Sequence, residues 1–173
     1  MRILQANHQV HPFEPVWDAG SRLLILGSFP SVLSRQQAFY YGNPRNRFWE
    51  VLGKVFDSPV PRDVPKRREW LLRHGIALWD VLASCEIRGS SDASIQHAVV
   101  HDLGPLLEGS RISHIWLNGS TAGTHYRRHM AADIGLPAAV LPSTSPANAA
   151  WSLQRLVSAW QVINPNNDEG SND

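Results

Sequence analysis

Short unbroken apolar runs along this chain alternate with stretches in which apolar residues recur every three or four positions. Leu23-Leu-Ile-Leu is a run of the first kind, ended by Gly27, and reads as a strand covered on both faces. Ile76-Ala-Leu-Trp-Asp-Val-Leu, Ile112-Ser-His-Ile-Trp-Leu and Ala138-Ala-Val-Leu, the last ended by Pro142, are the other strand candidates. Helical patterns lie between them. One starts near Asn46 and places Phe48, Trp49, Leu52 and Val55 on a single stripe. Lys66 to His74 fits a second, with Gly75 as its stop. A short helix is expected from Asp102 to Leu107, and a longer one, capped by Ser120, running to about Ile134. The last opens near Asn148, carries Leu153, Leu156, Val157 and Trp160 on one face, and is stopped by Pro165. Residues 1–20 show no clear periodicity and are expected to form an irregular arm. The polar stretch 164–173 is expected to be a disordered tail.

Strands alternating with helices imply an α/β fold, a three-layer α/β/α sandwich around a mainly parallel four-stranded sheet, as one domain over residues 1–163. Ligands of such sheets bind outside the carboxyl ends of the strands. Every expected strand here runs into a polar segment: Gly27-Ser-Phe-Pro-Ser, Asp80, Asn118-Gly-Ser-Thr, and Pro142-Ser-Thr-Ser-Pro-Ala-Asn. A parallel sheet gathers all four at one edge, and a functional site is expected there.

Composition narrows the chemistry. At 43% hydrophobic and 18% charged the chain is globular. Its single cysteine, Cys85, rules out a disulfide framework and a four-cysteine metal site, and reads as a buried small residue. The histidines His8 and His11 lack a nearby third ligand and are a weak metal signal, so surface or packing roles are expected of them. Neither a signal-peptide pattern nor a membrane-length apolar run is evident, so a cytoplasmic protein is expected, nucleoid-associated in a prokaryote. With a net charge of +1, a nucleic-acid partner would have to be met by local basic clusters. Arg45 with Arg47, Lys66-Arg67-Arg68, and Arg127-Arg128 are the candidates, though each taken alone reads first as a solvated helix face.

The polar strand ends contain no GxGxxG after the first strand, no GxxxxGK[ST] and no GxSxG, which argues against dinucleotide, P-loop and α/β-hydrolase sites. Asparagines, serines, threonines, one aspartate and several aromatics remain. That set suits hydrogen bonding to, and stacking on, a planar heterocycle.

Gly27-Ser-Phe-Pro-Ser, Tyr41-Gly-Asn-Pro-Arg-Asn-Arg-Phe-Trp and Leu141-Pro-Ser-Thr-Ser-Pro-Ala-Asn together resemble the uracil-DNA glycosylase superfamily, most closely its hypoxanthine-DNA (deoxyinosine) glycosylase branch. The likeness runs from about Pro12 to Trp160 and also extends to the mismatch-specific uracil/thymine enzymes. It implies metal-free and cofactor-free hydrolysis of the N-glycosidic bond of a flipped, deaminated base in DNA. The expected base is hypoxanthine, with uracil or xanthine as further candidates. No lysine stands at the strand ends for a Schiff-base step, so a monofunctional enzyme is expected.

Carried over residue by residue, the resemblance makes Ser28 and Ser31 part of the DNA-contacting turn. It puts Phe29 where uracil-excising relatives hold water with Asp or Asn, a role that a phenyl ring cannot fill. Asn46, with Asn43 as runner-up, is therefore the expected water-positioning residue, though Asn46 also suits the cap of the following helix. Tyr41 matches the aromatic that stacks on the flipped base, or packs in the core beside Tyr40. Asp80 stands where uracil-specific relatives carry Asn. A carboxylate only accepts hydrogen bonds, which suits the N1–H of hypoxanthine; Asp80 would otherwise cap the next turn. Ser143 replaces a His or Asn that polarises the leaving base. Ser145 is expected to grip phosphate, Ala147 and Asn148 to sit where the loop enters the duplex, and Asn148 alternatively to cap the last helix. Arg45, Arg47 and Ser120 are further phosphate candidates. Two function classes stay open: a glycosylase acting as a monomer on DNA, and a binding module of the same fold without the chemistry, which the non-standard Phe29 and Ser143 would permit.

Overall fold

The computed structural model of the chain describes residues 7–170. Its elements are β1 (Asn7–Val10), β2 (Leu23–Gly27), α1 (Val32–Gln37), α2 (Phe48–Val55), α3 (Val64–Arg73), β3 (Ile76–Asp80), β4 (Leu82–Ile87), β5 (Gln96–Val100), α4 (Gly104–Glu108), β6 (His114–Asn118), α5 (Ser120–His129), α6 (Ala131–Ile134), β7 (Ala138–Leu141) and α7 (Leu153–Trp160). The four expected strands pair in parallel in the order β3-β2-β6-β7.

Alternation along β2 explains the layers. Leu23 and Ile25 point to one face, where they join Ile76 and Leu78 against Phe48, Leu52, Trp70, Leu156 and Trp160 of α2, α3 and α7. Leu24 and Leu26 point to the other, with Ala77, Ile115 and Leu117, against Leu106, Ala122 and Tyr126 of α4 and α5. All five residues of β2 are buried, as a strand covered on both sides requires. Register then fixes the site: Gly27 pairs with Asp80, and Asn118 with Leu141, so the polar segments leave the sheet side by side.

A second sheet, antiparallel in the order β1-β4-β5, was not anticipated. The arm is not irregular throughout. Asn7 to Val10 pairs with β4, and Val16 bridges to Leu78 at the edge of the parallel sheet. β4 follows β3 almost at once, because the chain crosses the first motif there: Val81 N–H donates to Gly27 O (2.8 Å) and Leu82 N–H to Ser28 O (3.1 Å). The β4–β5 hairpin folds back over α1, where Ser90 Oγ accepts from Val32 N–H (2.9 Å) and Arg35 donates to Gly89 O (3.0 Å).

The tail also departs from expectation. Asn164 is buried and donates to Val55 O (3.0 Å), and Pro165–Gly170 forms a 3₁₀ turn. Residues 1–6 of the arm and 171–173 of the tail lie outside the described residues. Among the described residues, no helix is long and apolar enough to cross a membrane.

Candidate active site

A cleft of about 460 Å³ opens at the carboxyl edge of the parallel sheet. Gly27 to Ser31, Tyr41, Asn43, Asn46, Asp80, Asn118 and Ser143 to Ala147 line it, so the three motifs meet in one place.

Gly27 is required by a close approach. A Cβ there would lie 2.5 Å from Asp80 Oδ1 and 2.9 Å from the Tyr41 hydroxyl, so only glycine lets both groups reach the floor of the cleft. Tyr41 itself has φ 50°, a left-handed conformation rare for an aromatic residue. Several contacts hold it there. Its ring stacks on Phe48 (3.8 Å between centroids), its carbonyl accepts from Trp49 Nε1 (3.3 Å), and its hydroxyl accepts from Asn118 Nδ2 (3.2 Å). Burial, helped by the charge of Asp80, pushes the phenol pKa well up, so its own proton stays available for donation.

Thr144, fully buried, joins the motifs and was missed between its neighbours Ser143 and Ser145. Its N–H donates to Asn118 Oδ1 (3.1 Å), and its hydroxyl accepts from Asn118 Nδ2 (3.0 Å) and donates to Asn46 Oδ1 (2.8 Å). Asn46 Oδ1 also accepts from Phe48 N–H (3.0 Å), at the start of α2. Asn46 therefore supports a helix end, as one reading of it held. Its orientation follows: backbone N–H groups only donate, so the atom facing Phe48 is the oxygen and the amide Nδ2 is the group left over.

Asp80 is 4% exposed, and its Oδ2 accepts from His11 Nε2 at 2.8 Å. The His11 side chain is 2% exposed and its Nδ1 is buried without a partner. Phe13 and His101 pack against the ring, and His101 Nδ1 lies 2.8 Å from Asp80 O. Burial lowers the His101 pKa, opposed by that bond. His11 is the second group missed, because only the folded arm brings it to a residue 69 positions away. Its replacement by Ala would leave a buried carboxylate oxygen unpaired, and a loss of about 1–3 kcal/mol in denaturant unfolding is expected. Unchanged stability would show that solvent reaches Asp80.

The remaining candidates fall into two groups. Ser28 is buried and donates to Asp92 Oδ1 (3.0 Å) on the β4–β5 hairpin; Phe29, also buried, forms an apolar wall. Ser31 caps α1 by accepting from Ser34 N–H (3.1 Å). Asn43 accepts from Arg45 N–H (3.0 Å), and the Arg45 side chain is exposed beside the cleft. Ser143 Oγ accepts from Ser145 N–H, and Ser145 Oγ from Ala147 N–H, which shapes the loop that leaves Ala147 exposed at the rim.

Arg47 and the two expected helix caps, Asn148 and Ser120, are corrected. Arg47 is not free for phosphate: it donates to the carbonyls of Ser145, Asn148 and Trp151, fastening α2 to the third motif. Asn148 does not cap the last helix. It donates to Ser143 O (3.0 Å), and α7 starts later, where Ser152 accepts from Arg155 N–H (3.1 Å). Ser120 lies outside the cleft lining, and Gly119 rather than Ser120 occupies the cap position of α5.

The profile of the Uracil DNA glycosylase superfamily matches residues 15–164 of the 173. The chain belongs to this superfamily. Among superfamily relatives, the protein named hypoxanthine DNA glycosylase of Methanosarcina acetivorans is 33% identical over 153 residues, covering 87% of this chain and 95% of that one. Its namesake in Methanosarcina barkeri is 33% identical over 155 residues, covering 86% and 93%. A solution NMR structure of a Methanosarcina acetivorans protein, assigned to the uracil DNA glycosylases, superposes with a TM-score of 0.78 at 33% identity, covering 90% of this chain and 96% of that one.

Proposed function

We propose that this superfamily member is a monofunctional DNA glycosylase that hydrolyses the N-glycosidic bond of deoxyinosine, acting as a cytoplasmic monomer on damaged DNA. The observation that carries the reading is a buried carboxylate, Asp80, on the floor of a cleft that also holds a fixed aromatic ring, Tyr41. The relatives named hypoxanthine DNA glycosylase support the choice of base.

The chemistry follows from the groups present. A base flipped into the cleft stacks on Tyr41, and Asp80 accepts from a ring N–H. Hypoxanthine carries that proton at N1, and adenine does not. As the glycosidic bond stretches, the sugar gains positive charge and the base negative charge. The Asn46 amide is the donor proposed to orient the attacking water. Ser31, Arg45, Ser145 and Ala147 are the residues proposed to contact the DNA, with the stacking energy and phosphate contacts offsetting the few kcal/mol that flipping costs.

The test uses duplexes carrying one inosine, uracil, xanthine or no lesion, followed by alkali. Strand cleavage at inosine, only after alkali, is expected. Tight binding with no cleavage of any duplex would favour the binding module instead.

A further inference from the structure

Hydrolysis is faster when a group takes the proton of the attacking water. An amide cannot do so, and Phe29 offers no polar atom. Among the described residues lining the cleft there is no His, Lys or Glu, and the only carboxylates are Asp80 and Asp92. Asp80 is sunk in the floor with one oxygen on His11. Asp92 comes from the β4–β5 hairpin, with Ser90, Ser91 and Ala93 beside it on the cleft wall.

We propose that Asp92 is the general base of this site, receiving the proton of the water that attacks the sugar. The inference rests on the glycosidase reading above. In the step, the water oxygen bonds to C1′ as the C1′–N bond breaks and its electron pair leaves with the base. One water proton passes to the Asp92 carboxylate and is later released to the base or to solvent.

Placement supports the role in three ways. Ser28, in the turn immediately after β2, donates to Asp92 Oδ1 (3.0 Å) and so fixes the carboxylate at the wall formed by the first motif. The hairpin that carries it is itself anchored, through Ser90 to α1 and through the Arg35–Gly89 bond. Finally, a negative charge at the entrance of a cleft for DNA opposes binding of a polyanion, whereas it favours the positive sugar of the transition state. Desolvation by surrounding protein raises the Asp92 pKa, opposed by the Ser28 bond and reinforced by the charge of Asp80, a direction that suits a base. The other ionisable groups that sense it are Cys85 of β4 and Tyr41, with Arg35 of α1 bonded to Gly89 of the same hairpin and His11 behind Asp80.

Single-turnover rates on an inosine duplex, measured across pH for the wild type, Asp92→Asn, Asp80→Asn and Ser28→Ala, test the assignment. Asp92→Asn should lower the plateau rate by about 100-fold or more, with equal or tighter DNA binding. The wild-type rate should fall at acid pH as Asp92 is protonated, and the limb that is lost in Asp92→Asn should persist in Asp80→Asn. Loss of the Ser28 bond, which holds the pKa down, should move the limb to higher pH. An active wild type whose plateau rate survives in Asp92→Asn would overturn this proposal alone. If Asp92→Asn does not fold, an unshifted limb in Ser28→Ala would overturn it. A wild type inactive on inosine, uracil and xanthine would overturn this proposal together with the reading it rests on.

Discussion

Asn46→Ala should lower the single-turnover rate of inosine excision by about 100- to 1,000-fold, the usual effect of losing one aligned donor in a reaction cleft. The expectation comes from how the amide is held. Its oxygen is committed to Thr144 and to Phe48 N–H, and the bonds of Thr144 to Asn118 fix that arrangement further. The Nδ2 group is then presented in one orientation, with no side-chain entropy left to lose when water binds. The substitution also removes a helix-end contact, worth about 1 kcal/mol. Thermal unfolding measured alongside separates the two roles: stability should fall slightly and rate greatly. Full activity would remove Asn46 from the mechanism and leave it only a support for α2.

Asp80→Asn should change which base is excised. The carboxylate only accepts, which suits hypoxanthine, whose N1–H has a carbonyl on one side and C2–H on the other; uracil flanks its ring N–H with carbonyls on both sides, one of which the amide of the variant can meet as a donor. A fall of about 10- to 100-fold in the inosine-to-uracil rate ratio is expected, the equivalent of one mismatched buried hydrogen bond. His11 makes this position more constrained than the strand end alone suggests, since Nε2 holds one carboxylate oxygen and leaves the other beside Gly27. An unchanged ratio would mean that Asp80 does not face the base.

The parallel sheet was readable because its strands are short, apolar and covered on both faces. Leu23 to Leu26 can hardly be anything but a central strand, and Gly27 after it marks the turn. The second sheet was not readable. β1 is four residues, mostly exposed, and β5 alternates weakly, so neither carries an apolar period that a sequence can show. The same holds for the site. Asp80 ends a strand and Ser143 follows one, where pattern alone drew attention to them, and Tyr41 and Asn46 entered through the family resemblance. His11, Asp92 and Thr144 matter through partners 69, 64 and 98 positions away, which no local pattern encodes. Arg47 shows the converse. Its charge suggested phosphate, but the fold spends it on the carbonyls of residues 145–151.

The most direct measurement is base release from an inosine duplex, with mass spectrometry of both products. Free hypoxanthine, matched one to one by an uncut strand carrying a hydrated abasic site, is the predicted result. Intact inosine after prolonged incubation with bound protein, or base release that leaves a strand cut by β-elimination, would contradict it.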